Sequence, residues 1–271
     1  MPEIPFPIPN DPFPNPDDPL DAVRRWILRE TQAAVERKVR DTVNDLTWAL
    51  ERRLPDVGSC NLSTSLLEIT LDEMFIEFSS DILEAGHQHN IDARAIAGAI
   101  AWEYEENMEG LWSDYLQYHL GRGLDIFTKD PDLPLGEGIG WGSIHTERAR
   151  LLHPTATNLE LQCLRLDAAS AIEMIGAIMG QASQDYFTLS GGIWIGNAPP
   201  ILALFFHTGD DLLKESAAKR RLDPCKPGQT VELDASQDTM ATWVKSNLDR
   251  FIQFSTRPEP PTTCYASVTV K

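Results

Sequence analysis

The chain is poor in cysteine, in basic charge and in long apolar runs, and each shortage excludes something. Its four cysteines, Cys60, Cys163, Cys225 and Cys264, are far apart, with no Cys-x-x-Cys pair and no Cys/His cluster at zinc-finger spacing. No structural metal site and no cofactor are expected from them. Spacing alone does not choose among the three pairings that four cysteines allow, nor between disulfides and buried thiols, although Cys225 and Cys264 flank a late segment that a disulfide could tie down. Against 41 acidic residues stand only 23 basic ones, a formal net charge of -18, which repels nucleic acid and anionic membrane surfaces. No stretch approaches the roughly 18 consecutive apolar residues of a membrane-spanning helix, so no membrane insertion is expected. Residues 1–7 lack both the basic and the apolar region of a secretory signal. The expectation is synthesis in the cytoplasm without a signal peptide, with any work elsewhere depending on another export machine.

What is present is a chain of 271 residues, 42% hydrophobic, enough for one large core. Prolines crowd residues 2–19, which read as a flexible arm. Residues 20–90 read as an N-terminal helical segment: Val23, Trp26, Ile27, Val39, Val43, Leu46 and Leu50 recur at helical spacing up to Pro55. A second helix, with Asn61 or Ser63 as cap, runs through Leu71, Met74, Phe75 and Phe78 to about Ala85. His87 and His89 then fall on an expected loop, as solvated residues.

Residues 91–254 read as the main domain. Asp92 caps an expected helix over 93–108, and the glycine, aspartate and proline content of 121–142 predicts loops or a small hairpin. Helices are expected over 146–152, about 167–189, 201–208 and 236–254, and 255–271 is left as a tail with a short strand over 265–270. The fold class is therefore mainly α, with a small loop or hairpin region and an added N-terminal helical segment.

The chemistry concentrates between Ala93 and Gly142. The apolar run Ala97-Gly98-Ala99-Ile100-Ala101-Trp102 delivers Glu103 at its end, followed by Tyr104, Glu105 and Glu106. A carboxylic acid that donates a proton near neutrality must be shielded from water, and Glu103 fits best, because Glu105 and Glu106 lie about 200° and 300° further round the helix, toward solvent. Gly136-Glu137-Gly138-Ile139-Gly140-Trp141-Gly142-Ser143-Ile144 follows. It lacks the Gly-x-Gly-x-x-Gly order and the Walker lysine of a nucleotide loop.

Ala97 to Tyr104 resembles the helix of lysozyme-like and lytic-transglycosylase domains that ends in the catalytic Glu, and Gly140 to Ile144 is similar to their Gly-Leu-Met-Gln-Ile type turn. Ile201 to Gly209 resembles their Ala-Tyr-Asn-x-Gly segment, which lines the sugar groove. The chain departs from those patterns where Gly142 or Ser143 replaces the Gln and Phe206-His207 replaces Tyr-Asn.

The resemblance implies a lysozyme-like catalytic domain over 91–254 that cleaves the β-1,4 glycan of peptidoglycan. It makes Glu103 the general acid and puts Trp141, Ser143, Phe206 and His207 along the substrate; Trp194 also falls in the expected groove. Glu137 is the first candidate for a second carboxylate, with Asp130 and Asp132 next; without one, the lytic transglycosylase route remains. The lone domain, proline-rich arm and lack of a signal resemble antibacterial effectors of contact-dependent systems such as type VI. That implies action in a target cell's periplasm, with a cognate immunity protein and a secretion-system component as partners. Two alternatives stay open: a chitosanase or chitinase-like hydrolase, to which the -18 charge is suited, and a non-catalytic helical glycan-binding or adaptor protein.

Overall fold

The computed structural model describes residues 70–105, 138–222, 228–262 and 264–271, all within the second of two units, Leu54–Lys271. The expected arm, most of the N-terminal helical segment, Cys60, Cys225, Asp130, Asp132 and Glu137 lie outside the described residues. Within them the chain is mainly helical, 63% of residues, with little sheet.

Helix α1, Leu71–Glu77, starts at a capping box: Glu73 N–H donates to Thr70 Oγ1 and the Glu73 carboxylate accepts from Thr70 N–H at 2.8 Å. Helix α2, Ser79–Gln88, follows without a loop. The sequence predicts one helix here; the break falls at Phe78, which leaves helical geometry while its N–H still closes α1 on Met74 O. His87 lies inside α2 and His89 caps its end, so the loop expected around them begins only after them, at the left-handed Asn90.

Helix α3, residues 94–105, is the most buried element of the site. Its start is fixed from three sides: Asp92 N–H donates to Gly196 O, the Asp92 carboxylate accepts from Arg94, and Ala93 N–H donates to Thr256 Oγ1. Ala95, Ile96, Ala97, Ala99, Ile100 and Ala101 are all fully buried, the pattern of a helix enclosed all round rather than lying on a surface. Gly98 lets it approach Val244 closely.

Strands β1, Gly138–Ile139, and β2, Ile144–His145, form an antiparallel hairpin with Ile139 opposite Ile144. Gly140 sits in the left-handed region at φ 78° against Arg165 O; a Cβ there would overlap that oxygen, so only glycine allows both the turn and the contact. The chain continues as α4, Thr146–Leu152, and α5, Asn158–Leu166, capped by Thr157 and Glu160. Helix α6, Ala168–Ser190, starts at Asp167 and stops at the left-handed Gly191. Helix α7, Pro199–Thr208, begins with two prolines, where missing N–H groups cost nothing, and packs on α6. After Gly209 comes α8, Asp210–Lys219.

Strand β3, Thr230–Leu233, precedes α9, Thr239–Asn247, which continues as a 3-10 turn over Leu248–Phe254. Helix α9 packs along α7. Strand β4, Ser267–Val270, runs parallel to β3, with Thr230 opposite Ser267 and Leu233 opposite Val270. The residues beyond 254 are thus built into the fold: Thr256 bridges Ala93 N–H and Ile91 O, and Ala266 bridges to Ile193.

Candidate functional site

The site forms where α3 and the end of α7 meet the start of α9. Helix α3 carries Glu103 after its apolar run, and the residue is 7% exposed. Glu105, two residues on, faces out and pairs with Arg250 at 2.9 Å, while Arg250 lies over the Trp243 ring. Burial therefore separates two carboxylates of one acidic cluster into different environments, as helical phase predicts; Glu106 lies outside the described residues.

Helix α7 brings the second group. From Pro199 to Phe206 every residue is buried, and His207 is the first to reach solvent, its side chain 37% exposed. Its Nδ1 lies 2.6 Å from Asp238 Oδ2. Asp238 is fixed in turn, because its Oδ1 accepts from Ala241 N–H at 2.8 Å as the N-cap of α9. Both carboxylate oxygens are acceptors, so Nδ1 carries the hydrogen and donates to Asp238. The Trp102 ring packs against the imidazole at 5.1 Å between centroids, tilted by 57°.

These contacts raise the His207 pKa above its ordinary value. The hydrogen bond to Asp238 is the main cause, opposed by partial burial and reinforced by the negative charge of Asp238 and, in its ionised form, of Glu103. Glu103, Trp102, His207 and Asp238 thus form one electrostatic unit. Behind it, Arg148 closes the end of α7 by donating to Phe206 O at 2.6 Å and Phe205 O at 3.4 Å. Burial lowers the Arg148 pKa, and Asp210 at 3.7 Å counters it.

The remaining expected site residues sit elsewhere or deeper. Phe206 is buried and meets Arg148 through its carbonyl. Trp141 is 3% exposed, with its indole N–H donating to Leu166 O at 3.1 Å, so it presents no face to a surface groove. Trp194 is buried as well, its ring lying against Gly196. Ser143 is half-buried in the hairpin turn at φ 46°, donating from its N–H to Gly140 O. Glu137 lies outside the described residues.

Asp238 is the candidate site residue that sequence reasoning missed. An Asp two residues before an apolar helix pattern is legible as a cap, but its second partner lies 31 positions away. Chemically, a shielded carboxyl beside an oriented imidazole can donate and accept protons on a bound molecule. Among the described residues no group of three or more His, Cys, Asp or Glu could hold a metal ion. No protein-family model, no curated protein and no solved structure matches this chain.

Proposed function

We propose that this chain is a lysozyme-like glycoside hydrolase that cleaves the β-1,4 bond between N-acetylmuramic acid and N-acetylglucosamine in peptidoglycan. The observation that carries the reading is the setting of Glu103, a carboxyl only 7% exposed that follows a fully buried apolar helical run and acts electrostatically on the anchored His207. Glu103 gives its proton to the glycosidic oxygen as the bond from C1 to that oxygen breaks. A water then adds to C1 and its proton leaves to a base, for which Glu137 is the candidate; alternatively the 6-hydroxyl of the muramic acid adds, Glu103 takes that proton back, and an anhydro sugar results. In this reading His207 lines the groove and Phe206 supports it from behind.

Both described cysteines, Cys163 and Cys264, are disulfide-bonded. That state fits an oxidising compartment. It supports the further proposal that the protein is made in the cytoplasm, exported as an antibacterial effector by a contact-dependent system such as type VI, and acts in a target periplasm. A cognate immunity protein and a secretion component are the partners this implies. Among the described residues no helix is long and apolar enough to cross a membrane.

The test is digestion of purified peptidoglycan by the wild type and by Glu103→Gln, with soluble fragments read by mass spectrometry. Reducing muropeptides from the wild type alone would support the water route, and anhydro products the intramolecular one. Full activity of Glu103→Gln would overturn the assignment. Turnover of chitosan oligomers without turnover of peptidoglycan would move the substrate to the chitosanase-like alternative.

A further inference from the structure

Cleavage of a glycosidic bond by water needs two proton movements, one onto the leaving oxygen and one off the water. Glu103 supplies the first, and the other carboxylates at this site are committed elsewhere. Glu105 is paired with Arg250, and both oxygens of Asp238 are taken, Oδ2 by His207 Nδ1 and Oδ1 by Ala241 N–H. The group that is coupled electrostatically to Glu103 and still has an open atom is His207, whose Nε2 makes no hydrogen bond among the described residues.

Asp238 decides what that open atom is. Its oxygens only accept, so Nδ1 holds the hydrogen of the ring, and the neutral imidazole then carries its lone pair on Nε2. Asp238 is 5% exposed and locked as the α9 cap, and the Trp102 ring packs on the imidazole, so the ring is held in one orientation. Its side chain is 37% exposed, which gives water access to it.

We propose that His207 is the general base of the hydrolysis, its Nε2 taking a proton from the water that adds to C1, and that Asp238 is the positioning residue that keeps the lone pair there. This rests on the glycoside hydrolase reading above and puts a histidine–aspartate couple in the place of a second carboxylate. In one displacement the bond from the water oxygen to C1 forms as the bond from C1 to the leaving oxygen breaks. Glu103 gives its proton to that leaving oxygen and His207 becomes imidazolium; solvent then returns the proton from the ring to Glu103. A single displacement inverts C1, so the β bond yields an α product.

The reactive form has Glu103 protonated and the ring neutral. Asp238, from the segment entering α9, is then the charge that keeps the ring basic, because a protonated Glu103 exerts no charge on it. Arg148 of α4 is turned to the carbonyls of Phe205 and Phe206 and to Asp210 of α8. As the bond breaks, Glu103 becomes negative while the ring becomes positive, so each proton transfer favours the other. The form with Glu103 ionised and the ring charged holds the same protons and is unreactive, so the two groups titrate as one unit.

The experiment digests soluble peptidoglycan oligomers with the wild type, His207→Ala, Asp238→Asn and Glu103→Gln, and reads the first-formed anomer by proton NMR. The His207→Ala reaction is repeated with sodium azide. In parallel, the two ring nitrogens of His207 in the full chain are observed by nitrogen NMR at a pH where the ring is neutral. The wild type is expected to release the α anomer first. His207→Ala lowers kcat by about 10²- to 10⁴-fold, and azide, a nucleophile that needs no base, restores about tenfold or more of it as a glycosyl azide. In Asp238→Asn the amide oxygen keeps the cap on Ala241 and the NH2 group faces Nδ1, which must then accept, so the hydrogen moves to Nε2 and the lone pair there is lost. The wild-type ring therefore shows its N–H at Nδ1 and Asp238→Asn shows it at Nε2, with kcat about tenfold or more lower and KM little changed.

A β anomer formed first, an anhydro sugar, undiminished turnover by His207→Ala, or a neutral wild-type ring with its hydrogen on Nε2 would each overturn the proposal while leaving the hydrolase reading in place. Full activity of Glu103→Gln, or no cleavage of glycan by the wild type, brings down the reading, and the assignment of His207 falls with it.

Discussion

Two histidine–carboxylate pairs of nearly equal length serve opposite ends in this molecule. His89 Nε2 meets Glu173 Oε1 at 2.7 Å, and His207 Nδ1 meets Asp238 Oδ2 at 2.6 Å. The first ties the end of α2 to α6, where His89 packs closely on Gly176 and Gly180, and its carboxylate is 46% exposed and shared with Gln88. The second has a carboxylate only 5% exposed, held by a helix cap, with Trp102 and the charge of Glu103 on the ring. Distance does not distinguish a strut from a site. What distinguishes them is whether the carboxylate is free to be solvated, since water screens and competes for an exposed pair while a buried, pre-oriented one acts at full strength on its histidine.

The sharpest break in that comparison is functional. Glu103→Gln is expected to lower peptidoglycan turnover by about 10²- to 10⁴-fold, the range of general acid catalysis, while Glu173→Gln leaves it unchanged. A dye-release assay on labelled cell walls reads both.

Stability separates the pairs next. Asp238→Ala removes a cap and a buried charged hydrogen bond together and is expected to cost about 2–4 kcal/mol. Glu173→Ala, at an exposed pair, is expected to cost less than about 1 kcal/mol. Urea denaturation of the two variants checks this; equal losses would erase the distinction.

The pH dependence carries a definite sign. Because the folded-state pKa of His207 is raised above its unfolded value near 6.5, its contribution to stability is fully present below about pH 6.5 and is lost as pH rises through the folded value. Melting temperatures between pH 5 and 9 are therefore expected to fall more steeply toward high pH in the wild type than in His207→Gln. The smallest effect is at Gln88, whose amide donates to Glu173 at 3.0 Å on the surface. Gln88→Ala is expected to change stability by no more than about 0.5 kcal/mol, measured in the same denaturation series.

Much of the helical skeleton was legible. The runs that became α3, α4, α6 and α7 announce themselves through period, through Asp92 and through the punctuation of Gly191 and the Pro199-Pro200 pair. Helix α5 was not, because Leu159-Glu160-Leu161-Gln162 and its continuation alternate apolar and polar residues in a way that suits a strand as well. The break at Phe78 was hidden for another reason: its N–H keeps the helical bond to Met74, so only the backbone angle reveals the kink. The parallel pairing of β3 with β4 joins Thr230 to Ser267 across a span that local pattern cannot bridge.

By itself the sequence determined that the segments of α3, α4, α6 and α7 are helical and that Glu103 ends an apolar face while Glu105 turns outward. These follow from the helical repeat and from backbone sterics, both local. Tertiary structure alone decided that Trp141 and Phe206 are buried, that Trp102 meets His207, and that Asp238 has a second partner. The last two depend on α7 packing along α9 and on Trp102 of α3 reaching the end of α7. Side-chain pairing between distant segments is set by how helices pack, and packing sums many weak contacts that no short stretch of sequence contains.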